Sequence, residues 1–212
     1  MSDATRRVPR TGRGERTRDE LLAAATEVFW DKGYVDARVA DIVERAGVAH
    51  GTFYTYFDSK EAVLWAIASD LNEAIAGTAR GVRAEVGGDE VRAIELANRR
   101  YLEVYLANRK VMRLMEEVAA FNPEMRKARQ RTRVRFVDQT VRSIERMQAA
   151  GVADPDLDAT YAAHALVSMV SHFAYAMVAS GATLDADAAV ATLTTLWARG
   201  LGLEVGRRNL DG

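Results

Sequence analysis

Apolar positions recur every three or four residues from Leu21 onward and nowhere alternate over a useful length, which predicts helices and no sheet. Leu21, Leu22, Ala25, Val28 and Phe29 form one stripe. Thr17 and Glu20 before it have the spacing of a capping box, and Gly33 is the expected stop. A shorter stripe, Val39, Ile42, Val43 and Ala46, is closed by Gly47, and a helix resumes within about two residues, the layout of a helix-turn-helix. Asp58 with Glu61 makes a second capping box, opening a long helix through Val63, Leu64, Ile67, Leu71 and Ile75. "GGDE" at 87–90 then separates it from Val91–Leu106, a segment around Val111, Leu114, Met115 and Val118, a helix from Pro123 to Ala150, a charge-free helix, and Asp187–Leu203. The chain therefore reads as all-α, with about nine helices.

The stretch "GVAHGTFYTYFDSKE", residues 47–61, crowds Phe53, Tyr54, Tyr56 and Phe57 into five positions. With Phe53 at zero on a helical wheel of about 100° per residue, Phe57 falls near +40°, Tyr56 near −60° and His50 near +60°. Gly51 and Thr55 lie opposite, and Thr52 and Tyr54 flank them. The phenylalanines are thus anchors, while hydroxyls and a glycine face outward. Gly51 costs a helix roughly 0.8–1 kcal/mol against alanine, so close approach of backbone to a partner is a reason for it. A helix start also suits phosphate, and nucleic acid is the implied partner.

Composition narrows the remaining classes. The 212 residues carry a formal net charge of −1 and no cysteine, which excludes disulfides, thiolate nucleophiles and Cys-ligated metal sites and suits a reducing cytoplasm. The first twenty residues are charged and lack the apolar run of an export signal. From Ala159 to Leu184 there is no Asp, Glu, Lys or Arg, a run long enough to cross a bilayer. Its histidines, serines and acidic flanks favour instead a helix covered by other helices, including those of a second subunit. Residues 1–15 read as a flexible Arg/Gly arm. No P-loop, GxSxG or HExxH is present, which argues against an enzyme; no metal site or cofactor is expected.

"VADIVERAGVAHGTFYTYFDSKEAVLWAI", preceded by "FWDKGY", resembles the DNA-binding head of the TetR family of bacterial transcriptional regulators over roughly residues 17–64. The resemblance implies a helix-turn-helix domain over 16–60 and, over 61–212, an all-helical domain for ligand binding and dimerisation. Carried over by position, it makes Thr52 and Tyr54 contacts to bases or nearby backbone and Thr55, Tyr56 and Lys60 contacts to phosphate. His50 and Gly51 sit where the helix enters the groove. The family's usual Thr-Thr opening of the second helix is Ala37-Arg38 here, so Arg38 is the candidate for the phosphate contact.

The same resemblance implies a homodimer through the last two helices, 157–181 and 187–203, and a small-molecule pocket. Candidates for lining it are Tyr101, Tyr105, Met112, Met115, Phe121, Phe136, Met169, His172, Phe173 and Tyr175, although most of these suit a core equally. His164 and His172, eight apart, lie about 80° from one another on the wheel, poor geometry for a shared metal. Residues 1–65 hold ten Lys or Arg and eleven Asp or Glu, so the head is not cationic in bulk and affinity must rest on placement. The expected function is a cytoplasmic repressor that binds a palindromic operator as a dimer and is released by a largely apolar effector. The alternative is a DNA-binding protein without effector, acting in chromosome organisation or cell division.

Overall fold

The computed structural model of the chain describes residues 12–179 and 184–204. They form ten α-helices and no strand: α1 (Gly12–Lys32), α2 (Val39–Ala46), α3 (His50–Tyr56), α4 (Lys60–Gly77), α5 (Val82–Glu85), α6 (Glu90–Ala107), α7 (Arg109–Phe121), α8 (Pro123–Ala149), α9 (Ala159–Ala179) and α10 (Ala186–Gly200). The tenth, beyond the nine legible as apolar stripes, is α5, a single turn too short to show a helical period. Most of the arm expected over 1–15 lies outside the described residues. Its last four residues are already helical.

Two helix starts differ from the sequence reading. Thr17 is no N-cap: it lies inside α1, its hydroxyl donates to the Arg13 carbonyl at 3.1 Å, and Glu20 pairs with Arg16. A threonine can satisfy its hydroxyl one turn back within a helix as well as at its start, so the box spacing alone does not fix a boundary. At the start of α4 the acceptor is Ser59, whose Oγ takes the Ala62 N–H at 3.2 Å, one position after the expected Asp58.

The chain divides into two compact units. The first holds α1 to α3, α4 as far as Glu73, and Asn108–Arg126 with α7; the second holds Ala74–Ala107 and the chain from Lys127 onward. In the first, α1 contributes Leu21, Ala25, Val28 and Phe29 to the buried core, α2 Ile42 and Val43, α3 Phe53, and α4 Val63, Leu64, Ile67 and Leu71. Helix α7 adds Val111, Met112, Leu114, Met115 and Val118. Each set falls on one face at helical spacing, so burial against neighbours rather than propensity holds these short helices.

In the second unit, Val137, Ile144 and Met147 of α8 pack with Ala163 and Leu166 of α9, Ala198 of α10, and Leu201 and Leu203 beyond it. Asn98 of α6 and Thr194 of α10, both buried, share a hydrogen bond of 3.3 Å. The end of the chain returns to the α8–α9 loop, where the Asp154 N–H donates to the Leu201 carbonyl at 3.0 Å. Gly202 sits there at φ +71°, a backbone that favours glycine, and a Cβ on it would lie a tight 3.3 Å from that of Asp154.

Helix α9 buries only one stripe: Ala163, Leu166, Val170, Ala174 and Met177. The opposite face carries exposed Tyr161, His164, Ala165, His172 and Tyr175. One chain therefore covers half of what the charge-free sequence suggests. Among the described residues α9 is the one helix long and apolar enough to span a bilayer by length and composition, a test that core helices of soluble proteins also pass.

Candidate nucleic-acid interface

Helix α2 ends at Gly47, whose φ of +66° turns the chain left-handed while its N–H donates to the Glu44 carbonyl and the Val48 N–H to the Val43 carbonyl. Ala49 then caps α3 with no side-chain acceptor. Within α3 the wheel assignment of the phenylalanines agrees with their burial: Phe53 is wholly buried, and Phe57 nearly so, their rings 5.9 Å apart. The Arg18 guanidinium lies 5.8 Å from the Phe57 ring, tying α1 to the same anchor.

The other face of α3 is open. Gly51, Tyr54 and Thr55 are exposed, and Thr52 and Tyr56 are half-buried at its edges. A Cβ on Gly51 would meet nothing within 4 Å, so the bare backbone there is not imposed by the chain's own packing. His50, placed near the core boundary by the wheel, is exposed, with its ring 5.4 Å from that of Tyr54. As the first residue of α3 it has no preceding turn to lie against.

Arg38 is exposed at the N-cap of α2, and its backbone N–H donates to Asp41 Oδ2 at 2.9 Å. Asp41 also accepts from Lys32 at 2.7 Å, and these two bonds hold its carboxyl below the ordinary range. That acid is thereby matched by Lys32 rather than left opposite Arg38.

Lys60, expected to reach a phosphate, has its ammonium engaged within the chain: it donates to the carbonyls of Tyr34, Val35 and Ala37 at 2.8, 2.9 and 2.8 Å, and lies 4.8 Å from the centre of the Tyr34 ring. An ammonium has three protons, and all three have partners.

The sequence reading assigned no role to Tyr34, which organises this corner. It is buried after the left-handed Gly33, meets Phe29 edge-on at 5.3 Å, and stacks on Phe121 of α7 at 6.4 Å. Its hydroxyl donates to Glu61 Oε1 at 3.1 Å. Burial, then the charge and hydrogen bond of Glu61, push the Tyr34 phenol above its ordinary range. For Glu61 burial acts the other way, but its own N–H, Ser59, Tyr34 and Lys60 outweigh it and leave the carboxyl below its ordinary value. The signal available in sequence was a tyrosine set immediately after a helix-ending glycine.

The residues proposed for a ligand fall in both units. Met112 and Met115 are in the buried core of the first, and Phe121 is half exposed there against Tyr34. In the second, Tyr101 lies 6.0 Å from Tyr105 and 6.3 Å edge-on from Phe136. Met169 and Phe173 are partly buried, while His172 and Tyr175, with rings 6.0 Å apart, are on the exposed face of α9. Among the described residues no group of His, Asp and Glu is arranged to hold a metal.

Comparison with known proteins finds relatives for both parts of the chain. Residues 21–67 match the family described as bacterial regulatory proteins, tetR family, and residues 94–201 match the C-terminal domain of the transcriptional regulator EthR. Among curated relatives, the uncharacterized HTH-type transcriptional regulator YvdT of Bacillus subtilis is 43% identical over 72 residues, 34% of this chain and 36% of that protein. YdgC of the same organism, also an uncharacterized HTH-type transcriptional regulator, is 27% identical over 176 residues, 80% of this chain and 85% of its own length. The fold recurs in the fatty acid degradation regulator FadR from Bacillus halodurans, with a TM-score of 0.72, 23% identity, and coverage of 89% of this chain and 97% of that one. It recurs in SmeT, solved as a complex with triclosan, with a TM-score of 0.72, 18% identity, and coverage of 87% and 90%. With two family matches that together take in both the helix-turn-helix and the last helices, the chain belongs to the TetR family of bacterial transcriptional regulators.

Proposed function

We propose that the protein is a cytoplasmic, homodimeric repressor that reads a palindromic operator with α3 and is released by a small, largely apolar effector. The observation that carries the reading is the division of α3. Two buried phenylalanines fix the helix, and Gly51, Tyr54 and Thr55 are left exposed with Thr52 half-buried at their edge. That face is narrow and rich in hydroxyls, the chemistry of contact with base edges and phosphates in a major groove. Arg38 supplies the nearby positive charge, and His50 stands at the groove entrance.

The dimer is supported by the open face of α9 and by exposed Leu196 on α10. An open face with no Asp, Glu, Lys or Arg of its own helix and two large tyrosines suits a second copy of the same chain, and two-fold symmetry matches two operator half-sites. Support for the effector comes from the aromatic group of Tyr101, Tyr105 and Phe136, and from relatives: FadR is named for fatty acid degradation, and SmeT was solved with triclosan. An effector acts only through its different affinity for the DNA-binding and released states.

The test is selection of genomic fragments by the purified protein, followed by release assays with triclosan, acyl thioesters and metabolites made by the products of neighbouring genes. A few palindromic sites, lost on adding one compound, are expected. Binding spread over many unrelated sites, with no compound releasing it, would replace this reading by one without effector.

A further inference from the structure

We infer that Lys60 is a positioning residue for DNA reading rather than a phosphate ligand: its ammonium clamps the α1–α2 loop onto the start of α4 and so sets Arg38 for the phosphate. The inference rests on the DNA-binding reading above but makes a claim about the free protein as well.

The geometry is particular to an ammonium. Three main-chain carbonyls, those of Tyr34, Val35 and Ala37, converge on one nitrogen within 2.9 Å, and the Tyr34 ring closes the site. The loop that supplies them has one internal backbone bond, from the Ala37 N–H to the Gly33 carbonyl at 3.2 Å. Without Lys60 its carbonyls would have no protein donor of that strength. The residue that follows is Arg38, whose backbone N–H is fixed by Asp41 and whose side chain is exposed. The clamp therefore acts one residue from the cation that can reach the backbone of DNA. For Lys60 to donate to a phosphate it would have to give up at least one of these three bonds.

A bare positive charge and a clamp respond differently to two substitutions. Removing a phosphate contact lowers the salt dependence of binding by about one unit, whereas disturbing its support does not. Lys60→Arg keeps the charge but replaces three divergent protons by a planar fork, which cannot serve three convergent carbonyls.

The experiment uses the full chain, with amide hydrogen exchange of the free protein and titration of an operator fragment at several salt concentrations. In Lys60→Met the amides of Ala37, Asp41 and Ile42 should exchange at least about tenfold faster, and that of Phe57 should not change. Operator affinity should fall by about tenfold with its salt slope intact. Arg38→Ala should lower the slope by about one with loop exchange unchanged. Lys60→Arg should behave like Lys60→Met, and it decides the matter if the methionine variant does not fold. A lowered slope with unchanged loop exchange in Lys60→Met, or full operator affinity in Lys60→Arg, would overturn the clamp. If the wild-type protein bound no DNA, the functional reading would fail while the exchange result still tested the clamp.

Discussion

Helices α3 and α9 share a plan at different lengths. Each buries one stripe in its own unit and leaves the opposite face open, and neither helix supplies a charged residue of its own to that face, although Arg133 of α8 donates to Ser168 on α9 at 2.7 Å. The open residues differ in kind. On α3 they are a histidine, a glycine, a tyrosine and a threonine; on α9 they are Tyr161, His164, Ala165, His172 and Tyr175. A short face with exposed backbone and hydroxyls can meet a polar groove edge to edge, whereas a long face of aromatic rings and alanine gains most by excluding water against another protein. The chemistry of the open face, and not its charge, separates the two partners.

The largest expected effect breaks the α9 half of this comparison. Ala165→Glu sets a carboxylate in the middle of the face, where the nearby Arg133 is already engaged by Ser168, and in a two-fold seam it does so twice. At about 3–5 kcal/mol for a buried charge without a partner, dimer affinity should drop by several hundredfold or more, and operator binding with it. Analytical ultracentrifugation would show the dissociation. A variant that stayed dimeric at nanomolar concentration would remove α9 from the interface.

On α3 the two faces should separate stability from recognition. Phe53→Ala empties a wholly buried ring site and should cost about 3–5 kcal/mol, visible in denaturant unfolding. Tyr54→Phe on the open face should stay within about 0.5 kcal/mol of wild type in stability while weakening the operator up to about tenfold. Equal effects of Tyr54→Phe on both would return that hydroxyl to a structural role. Gly51→Ala sharpens the contrast further. An alanine methyl meets nothing in the free chain and favours the helix, so the variant should gain up to about 1 kcal/mol in stability and lose operator affinity. A gain in both would mean that no partner approaches the backbone there.

How much of this was legible in sequence follows from what a side-chain pattern records. The buried stripes of α1, α2 and α4, and the inward phenylalanines, come from residue spacing, because burial acts on side chains at helical positions. The role of Lys60 does not. Its partners are carbonyls 23 to 26 positions earlier, whose convergence depends on the backbone path after Gly33. Tyr34 was passed over for the same reason: nothing local says that Glu61 will lie beneath its hydroxyl. Thr17 shows the opposite fault, a local motif read as a boundary where the helix runs on through it. His50 lay at the limit of the wheel, which assumes a turn on either side and has none at a first helical residue.

The smallest effect concerns the corner around Tyr34, Lys60 and Glu61. Glu61 has its carboxyl held below the ordinary value in the folded protein, so it binds a proton more weakly there than in the unfolded chain. Its contribution is therefore present above the unfolded value of about 4.3 and is lost as pH falls through the folded one. Glu61→Gln removes this dependence while leaving an oxygen that can accept from Tyr34. Melting temperatures of the two proteins should differ by a few degrees at pH 7 and converge as pH is lowered toward 3, with the wild type falling more steeply. The carboxylate is partly exposed, so the gap at neutral pH is small and salt narrows it. A constant difference across that range would mean that Glu61 supports the corner through packing and its neutral hydrogen bond, not through its charge.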